Sequence, residues 1–239
     1  MKHILTTTLL FFSLYAFGQE RLPQVPKGAW KSQEPTGSAS TLIVADNYLV
    51  IASYSVGNKY FERSEGGPFT MSGDQMTYTP EFNSADTAKI GTPIVFTVIV
   101  KDDILTLRYE EAMVWMRVDD ATSVPMAGAW HITERAAAGQ GELVQVHQEG
   151  TRKTLKLLSK TRFQWVAIDP AVKGFYATGG GTYTAQNGKY TEKIQFFSKD
   201  NNRVGSSLKF DYKLENGRWD HSGKSSDGKP LHEIWEKIK

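Results

Sequence analysis

The feature that most constrains this chain is that one pattern is written twice in it. Gly28-Ala29-Trp30 returns as Gly128-Ala129-Trp130, each copy behind a proline-bearing stretch at Pro26 and Pro125. Thr41-Leu42 opens an apolar segment running to Tyr48-Leu49-Val50-Ile51, and Thr154-Leu155 does the same before Arg162-Phe163-Gln164-Trp165. Gly66-Gly67-Pro68-Phe69-Thr70 matches Gly180-Gly181-Thr182-Tyr183-Thr184, and Tyr78-Thr79 matches Tyr190-Thr191. Both copies close on Trp-x-basic-β-branched, Trp115 to Val118 and Trp235 to Ile238. A repeat this long is a duplicated domain rather than a solenoid. The copies span residues 25–119 and 125–239, joined by the short polar stretch from Asp119 to Pro125. The second carries extra chain at Ala136 to Gly150, which reads as a surface loop.

Within each copy the apolar period is two, the signature of strands. Tyr190, Glu192, Ile194 and Phe196 alternate with polar residues, as do Phe210, Tyr212 and Leu214. Asn187-Gly188 and Asn216-Gly217 are the preferred two-residue hairpin turns, because both central positions need positive φ. The run Ile94 to Val100 is continuously apolar and reads as a strand buried on both faces. No long amphipathic helix is evident. The pattern predicts about seven to nine short strands per copy. Closing them into up-and-down antiparallel barrels removes the exposed edges. The expected fold class is all-β, two small barrels in tandem.

Residues 1–18 read as a cleaved signal peptide: Lys2, an apolar run from Ile4 to Phe17, and the small-x-small Ala16-Phe17-Gly18. The apolar run is too short to span a bilayer. The expectation is export, to the periplasm or out of the cell, and not an integral membrane protein. There is no cysteine, which excludes a lipoprotein anchor, disulfides and thiol chemistry. Formal net charge is +2 with both signs interspersed, so nucleic acid is not an expected partner.

The Gly-x-Trp starts and Trp-x-Arg/Lys ends resemble lipocalin-like domains. The second copy also resembles a small lipocalin-like family of unknown function in exported bacterial proteins, through Gly179 to Thr184, Lys189-Tyr190-Thr191-Glu192 and Trp235. The resemblance implies a barrel in which a basic residue of the last strand lies across the first-strand indole and plugs one end. By position it pairs Trp30 with Arg117 and Trp130 with Lys237. A cation over an indole face contributes ~0.5–2 kcal/mol. The copies are shorter than typical lipocalins and lack their common disulfides.

Glu192 is the residue that alternation singles out, since it falls on the apolar face of its strand, where a carboxylate is costly unless paired. It is read either as a polar anchor in a ligand cavity, with Tyr183 and Tyr190, or as half of a structural hydrogen bond. Trp165, Tyr176, Phe196, Phe210, Tyr212 and Trp219 form an aromatic set that would wall a cavity or fill the barrel. His131, His147, His221 and His232 lack the spacing of a metal motif, so no metal is expected. No nucleophile elbow or phosphate loop is present, and Gly179-Gly180-Gly181 reads as a bend or bulge in the wall. The expectation is a cofactor-free, non-enzymatic barrel protein that binds a small apolar or amphipathic ligand. The alternatives are an envelope interaction module with filled barrels and an enzyme using Glu192 and His221 as an acid–base pair.

Overall fold

In the computed structural model, residues 25–33, 38–120, 124–136 and 142–238 are described. The signal-peptide reading and part of the extra loop lie outside them. The first copy contributes β1 (Gly28–Gln33), β2 (Ala39–Ala45), β3 (Tyr48–Ser55), β4 (Tyr60–Ser72), β5 (Gln75–Tyr78), β6 (Phe82–Asn83), β7 (Ile94–Lys101), β8 (Ile104–Arg108) and β9 (Ala112–Asp119). The second contributes β10 (Gly128–Ala136), β11 (Leu143–Gln145), β12 (Lys153–Leu158), β13 (Arg162–Asp169), β14 (Gly174–Gln186), β15 (Lys189–Phe197), β16 (Ser207–Glu215), β17 (Arg218–Lys224) and β18 (Pro230–Lys237). Each copy closes into an eight-stranded antiparallel barrel, β1 meeting β9 and β10 meeting β18, with β6 and β11 as short additions. The only helices among the described residues are three 3-10 turns, none long or apolar enough to cross a membrane.

The plug at each barrel end is formed by the same parts twice. Trp30 lies under the Arg117 guanidinium at 4.1 Å, and its indole nitrogen donates to the Pro26 carbonyl at 2.8 Å. Trp130 lies under the Lys237 ammonium at 5.2 Å and donates to Met126 O at 2.9 Å. Lys237, which cannot stack flat, compensates by donating to Ala127 O at 2.9 Å.

Strand register corrects the sequence matching at two places. Trp30 faces Leu42, whereas Trp130 faces Lys156, so Lys156 occupies the Leu42 position and the Thr-Leu match is one residue out of step. Phe69 faces Tyr78 and Tyr183 faces Glu192, so Tyr78 is equivalent to Glu192 rather than to Tyr190. The two-residue slip in the second case preserved the face and left the alternation intact; the one-residue slip in the first reverses it.

The double glycine of each copy is explained by close approach. A Cβ on Gly181 would sit 2.1 Å from Lys193 O, where β15 bulges, and one on Gly67 would sit 2.0 Å from Thr79 O. The bulge falls between Ile194 and Phe196, and it turns Phe196 out of the barrel and Phe197 in. The alternation reading had placed Phe196 inside. In the first copy the same stretch is interrupted at Pro80, which separates β5 from β6, and Phe82 occupies the Phe196 position opposite Gly66.

These outward aromatics join the barrels. The rings of Phe82, Phe175, Phe61 and Phe196 form a ladder at centroid spacings of 6.0, 6.4 and 6.2 Å. Phe61 and Phe175 are register-equivalent, each beside the same bulge. The contacts are therefore reciprocal, as in an isologous dimer, but within one chain. Polar pairs also cross the interface without strict reciprocity: Glu81 accepts from Lys153 and Gln195 from Tyr54. Asp119, at the end of β9, accepts from Ala29 N, Ser159 Oγ and Thr161 N, and Asp46 accepts from Ala129 N. Ile43, Val50, Leu155, Leu157, Val166 and Ile168 bury the rest of the interface.

Two further expectations are corrected. The run Ile94 to Val100 is buried on one face only: Val95 and Ile99 point to solvent beside Ile104, Val114 and Met116, an exposed apolar face on the far side of the first barrel. A barrel wall has one interior face, so an apolar strand in it exposes its outer side chains unless another element covers them, as the second barrel covers β2 and β3. The extra chain at Ala136 to Gly150 is not only loop, since β11 extends the sheet by pairing with β10.

Candidate functional site

The two barrel interiors differ in chemistry. In the first, Trp30, Leu42, Met76, Tyr78, Phe96, Leu105, Leu107 and Trp115 pack together. In the second, the positions of Leu42, Tyr78, Leu107 and Met113 are held by Lys156, Glu192, His221 and Glu233. All four are nearly excluded from solvent, between 2% and 4% exposed. They line the deep part of a cavity of about 360 Å³ whose apolar wall includes Trp165, Ile194, Phe197, Phe210, Leu231 and Trp235. Arg135, His147, Arg152, Ser225 and Ser226 also line it.

The floor is internally paired. Lys156 Nζ donates to Glu192 Oε1 at 3.0 Å, and both side chains are 5% exposed. The ammonium sits among aromatic faces, 5.0 Å from Trp219 and from Trp235 and 5.6 Å from Tyr190. Glu233 accepts from Arg135 through Nε at 3.1 Å and Nη2 at 2.7 Å, and from the Trp235 indole at 3.1 Å. In the first barrel, where Met113 stands in place of Glu233, the equivalent Trp115 indole nitrogen has no hydrogen-bond partner. Burial opposes ionisation of Glu233, but the facing His221, Lys156 and Arg135 overcome it and hold its carboxyl at about 2.

His221 is the exception in this network. Its Nδ1 lies 3.5 Å from Glu233 Oε2, beyond hydrogen-bond geometry, and neither ring nitrogen has a hydrogen-bond partner. Burial, then the Lys156 charge, push its pKa down, so the ring is neutral at pH 7. At the rim, burial and the Arg152 and Arg135 charges also lower His147.

Of the residues singled out from sequence, the structure brings Glu192, Trp165 and Phe210 to the cavity wall. Tyr183, Tyr190 and Trp219 lie among the packed rings of the core instead, with Tyr212 half-buried against them. The Tyr183 hydroxyl donates to Ser159 O at 2.6 Å. Tyr190 is fully buried, and burial together with the Glu192 charge pushes its phenol well above 10. Phe196 packs on Tyr54 at 4.7 Å, in the interface between barrels. Tyr176 is exposed under Arg152. His232 pairs with Asp220 at 3.1 Å and His147 with Thr154 at 3.2 Å.

Sequence reasoning missed Lys156, Glu233, Arg135 and Phe197. Glu233 was findable, because it alternates with Trp235 and Leu231 on one face of β18. Lys156 required the true register against Trp130.

Fold and site together define a duplicated β-barrel protein in which one barrel is packed and the other encloses a polar-floored cavity. Residues 125–239, the cavity-bearing barrel, match a domain family of unknown function, DUF4488. No curated protein and no solved structure matches the chain.

Proposed function

We propose that this chain is a non-enzymatic, exported, lipocalin-like protein that binds a small amphipathic ligand in its second barrel. The observation that carries this reading is the exchange of Leu42, Tyr78, Leu107 and Met113 for Lys156, Glu192, His221 and Glu233 at register-equivalent positions. The first barrel adopts the same fold with apolar residues there, so the fold does not require the charges. Buried ion pairs are weak contributors to stability, and an apolar replacement is often neutral or better. Four ionisable groups beside a cavity of this size match how ligand sites are built, apolar walls with a few placed polar groups. Both floor carboxylates are engaged by cations, which favours orientation of a ligand over proton transfer. The Trp–cation plugs support the lipocalin resemblance, and the signal-peptide-like sequence of residues 1–18 supports export.

The test is saturable binding of 1-anilinonaphthalene-8-sulfonate to the full chain. Ala167 lines the cavity, so Ala167→Trp fills it. One site in the parent and none in this variant is the expected result. Equal binding by both refutes the site.

A further inference from the structure

We infer that the ligand presents a neutral hydrogen-bond donor, a hydroxyl on a flat apolar body, to His221, and an acidic group to the mouth. This rests on the proposal that the second barrel is a binding site.

The buried end of the cavity is already balanced in charge. Lys156 is matched by Glu192 and Arg135 by Glu233. An ionised group brought among them would lack a counter-charge in a dry site, which is costly. A neutral polar group would not. Tyr190 Oη and Trp219 Nε1 are also unpartnered but lie in the packed rings behind the cavity; among the described side chains that line it, His221, 2% exposed, is the one buried without a hydrogen-bond partner at either ring nitrogen. A neutral imidazole carries one donor and one acceptor. The nearest acceptor, Glu233 Oε2, faces Nδ1 at 3.5 Å and favours the proton there. Nε2 is then a bare acceptor, and the group that satisfies it is a donor.

The wall and the mouth narrow the class. Trp165, Phe197, Phe210 and Trp235 line the cavity, and aromatic faces of this kind accommodate a planar ring. Arg152 and Arg135 line it too, each half-exposed or already drawn toward one side, Arg152 over Tyr176 and Arg135 on Glu233. With Arg135 matched by Glu233, Arg152 is the guanidinium without a carboxylate among the lining residues, and it favours an anion at the open end. The first barrel has Leu107 at the His221 position, so this recognition belongs to the second barrel alone.

The experiment displaces 1-anilinonaphthalene-8-sulfonate from the full chain at pH 7.5 with 4-hydroxycinnamate, 4-methoxycinnamate and cinnamate. All three carry the acid and the ring, and only the first carries the donor. A buried unpaired acceptor that gains a partner is expected to favour 4-hydroxycinnamate by about tenfold or more. His221→Phe should abolish that preference, while His221→Gln, which keeps an acceptor, should retain part of it. Equal displacement by the three acids, or bound probe that none of them displaces, overturns the inferred ligand class and leaves the binding site standing. Absence of probe binding overturns the site itself. The comparison among acids in the parent protein decides the matter even where His221→Phe does not fold.

Discussion

Replacing Lys156 by Leu and Glu192 by Tyr, the residues that stand at these positions in the first barrel, separates stability from function at the cavity floor. Each single change removes one member of an ion pair whose side chains are both 5% exposed and 3.0 Å apart. The survivor is then a buried charge without a partner, a loss of about 3–5 kcal/mol. After Glu192→Tyr the ammonium keeps its aromatic surroundings at 5.0 to 6.0 Å, which offset part of the loss. Changed together, the two positions reproduce the packing of Leu42 with Tyr78, and the double variant should be within about 1 kcal/mol of the parent or more stable by up to about 4. Urea unfolding of the four proteins, followed by tryptophan fluorescence, gives the cycle. Additive losses in the double variant, or single losses below about 1 kcal/mol, would refute the claim that this pair is a buried charge couple. The same double variant should bind no 1-anilinonaphthalene-8-sulfonate if the polar floor exists for the ligand.

Other expectations follow from the same geometry. Gly181→Ala places a Cβ 2.1 Å from the Lys193 carbonyl, so the bulge must move, and a loss of about 2 kcal/mol or more in urea unfolding is expected; an unperturbed midpoint would show the close approach to be absent. Phe61→Ala and Phe175→Ala should couple by about 0.5–1.5 kcal/mol in a double-mutant cycle, because the rings stack at 6.4 Å across the barrel interface; strict additivity would mean that they do not meet. Glu233, held down at about 2 against an ordinary 4.5, contributes about 3 kcal/mol that is present above pH 4.5 and lost as pH falls toward 2, since the unfolded chain takes up the proton first. His221, lowered from 6.5, acts in the same direction: its contribution is complete above 6.5 and declines below it. Glu233→Gln should therefore flatten the acid side of the stability profile between pH 5 and 2, and an unchanged slope would contradict the assignment.

The barrels and their duplication were legible because period-two alternation, Asn-Gly turns and the Gly-Ala-Trp and Trp-x-basic ends are local signals. Glu192 was legible for the same reason: a carboxylate on an apolar face stands out wherever register is undisturbed. Lys156 was not, because the Thr-Leu match was out by one residue and a one-residue slip moves a side chain to the other face. Phe196 and Phe197 exchanged roles at a bulge whose cause, the Gly181 contact with Lys193, lies on the neighbouring strand. The exposure of Val95 and Ile99 was hidden by composition, since an apolar strand in a barrel wall reads the same whether its outer face is covered or bare.

The most direct test of the central claim is a native mass spectrum of the protein purified from its own host, beside Ala167→Trp prepared in the same way. The account predicts a reproducible extra mass on the parent that is released on denaturation and is missing from the variant. A bare parent that also fails to bind 1-anilinonaphthalene-8-sulfonate, or an extra mass that Ala167→Trp retains, would contradict a ligand site in the second barrel.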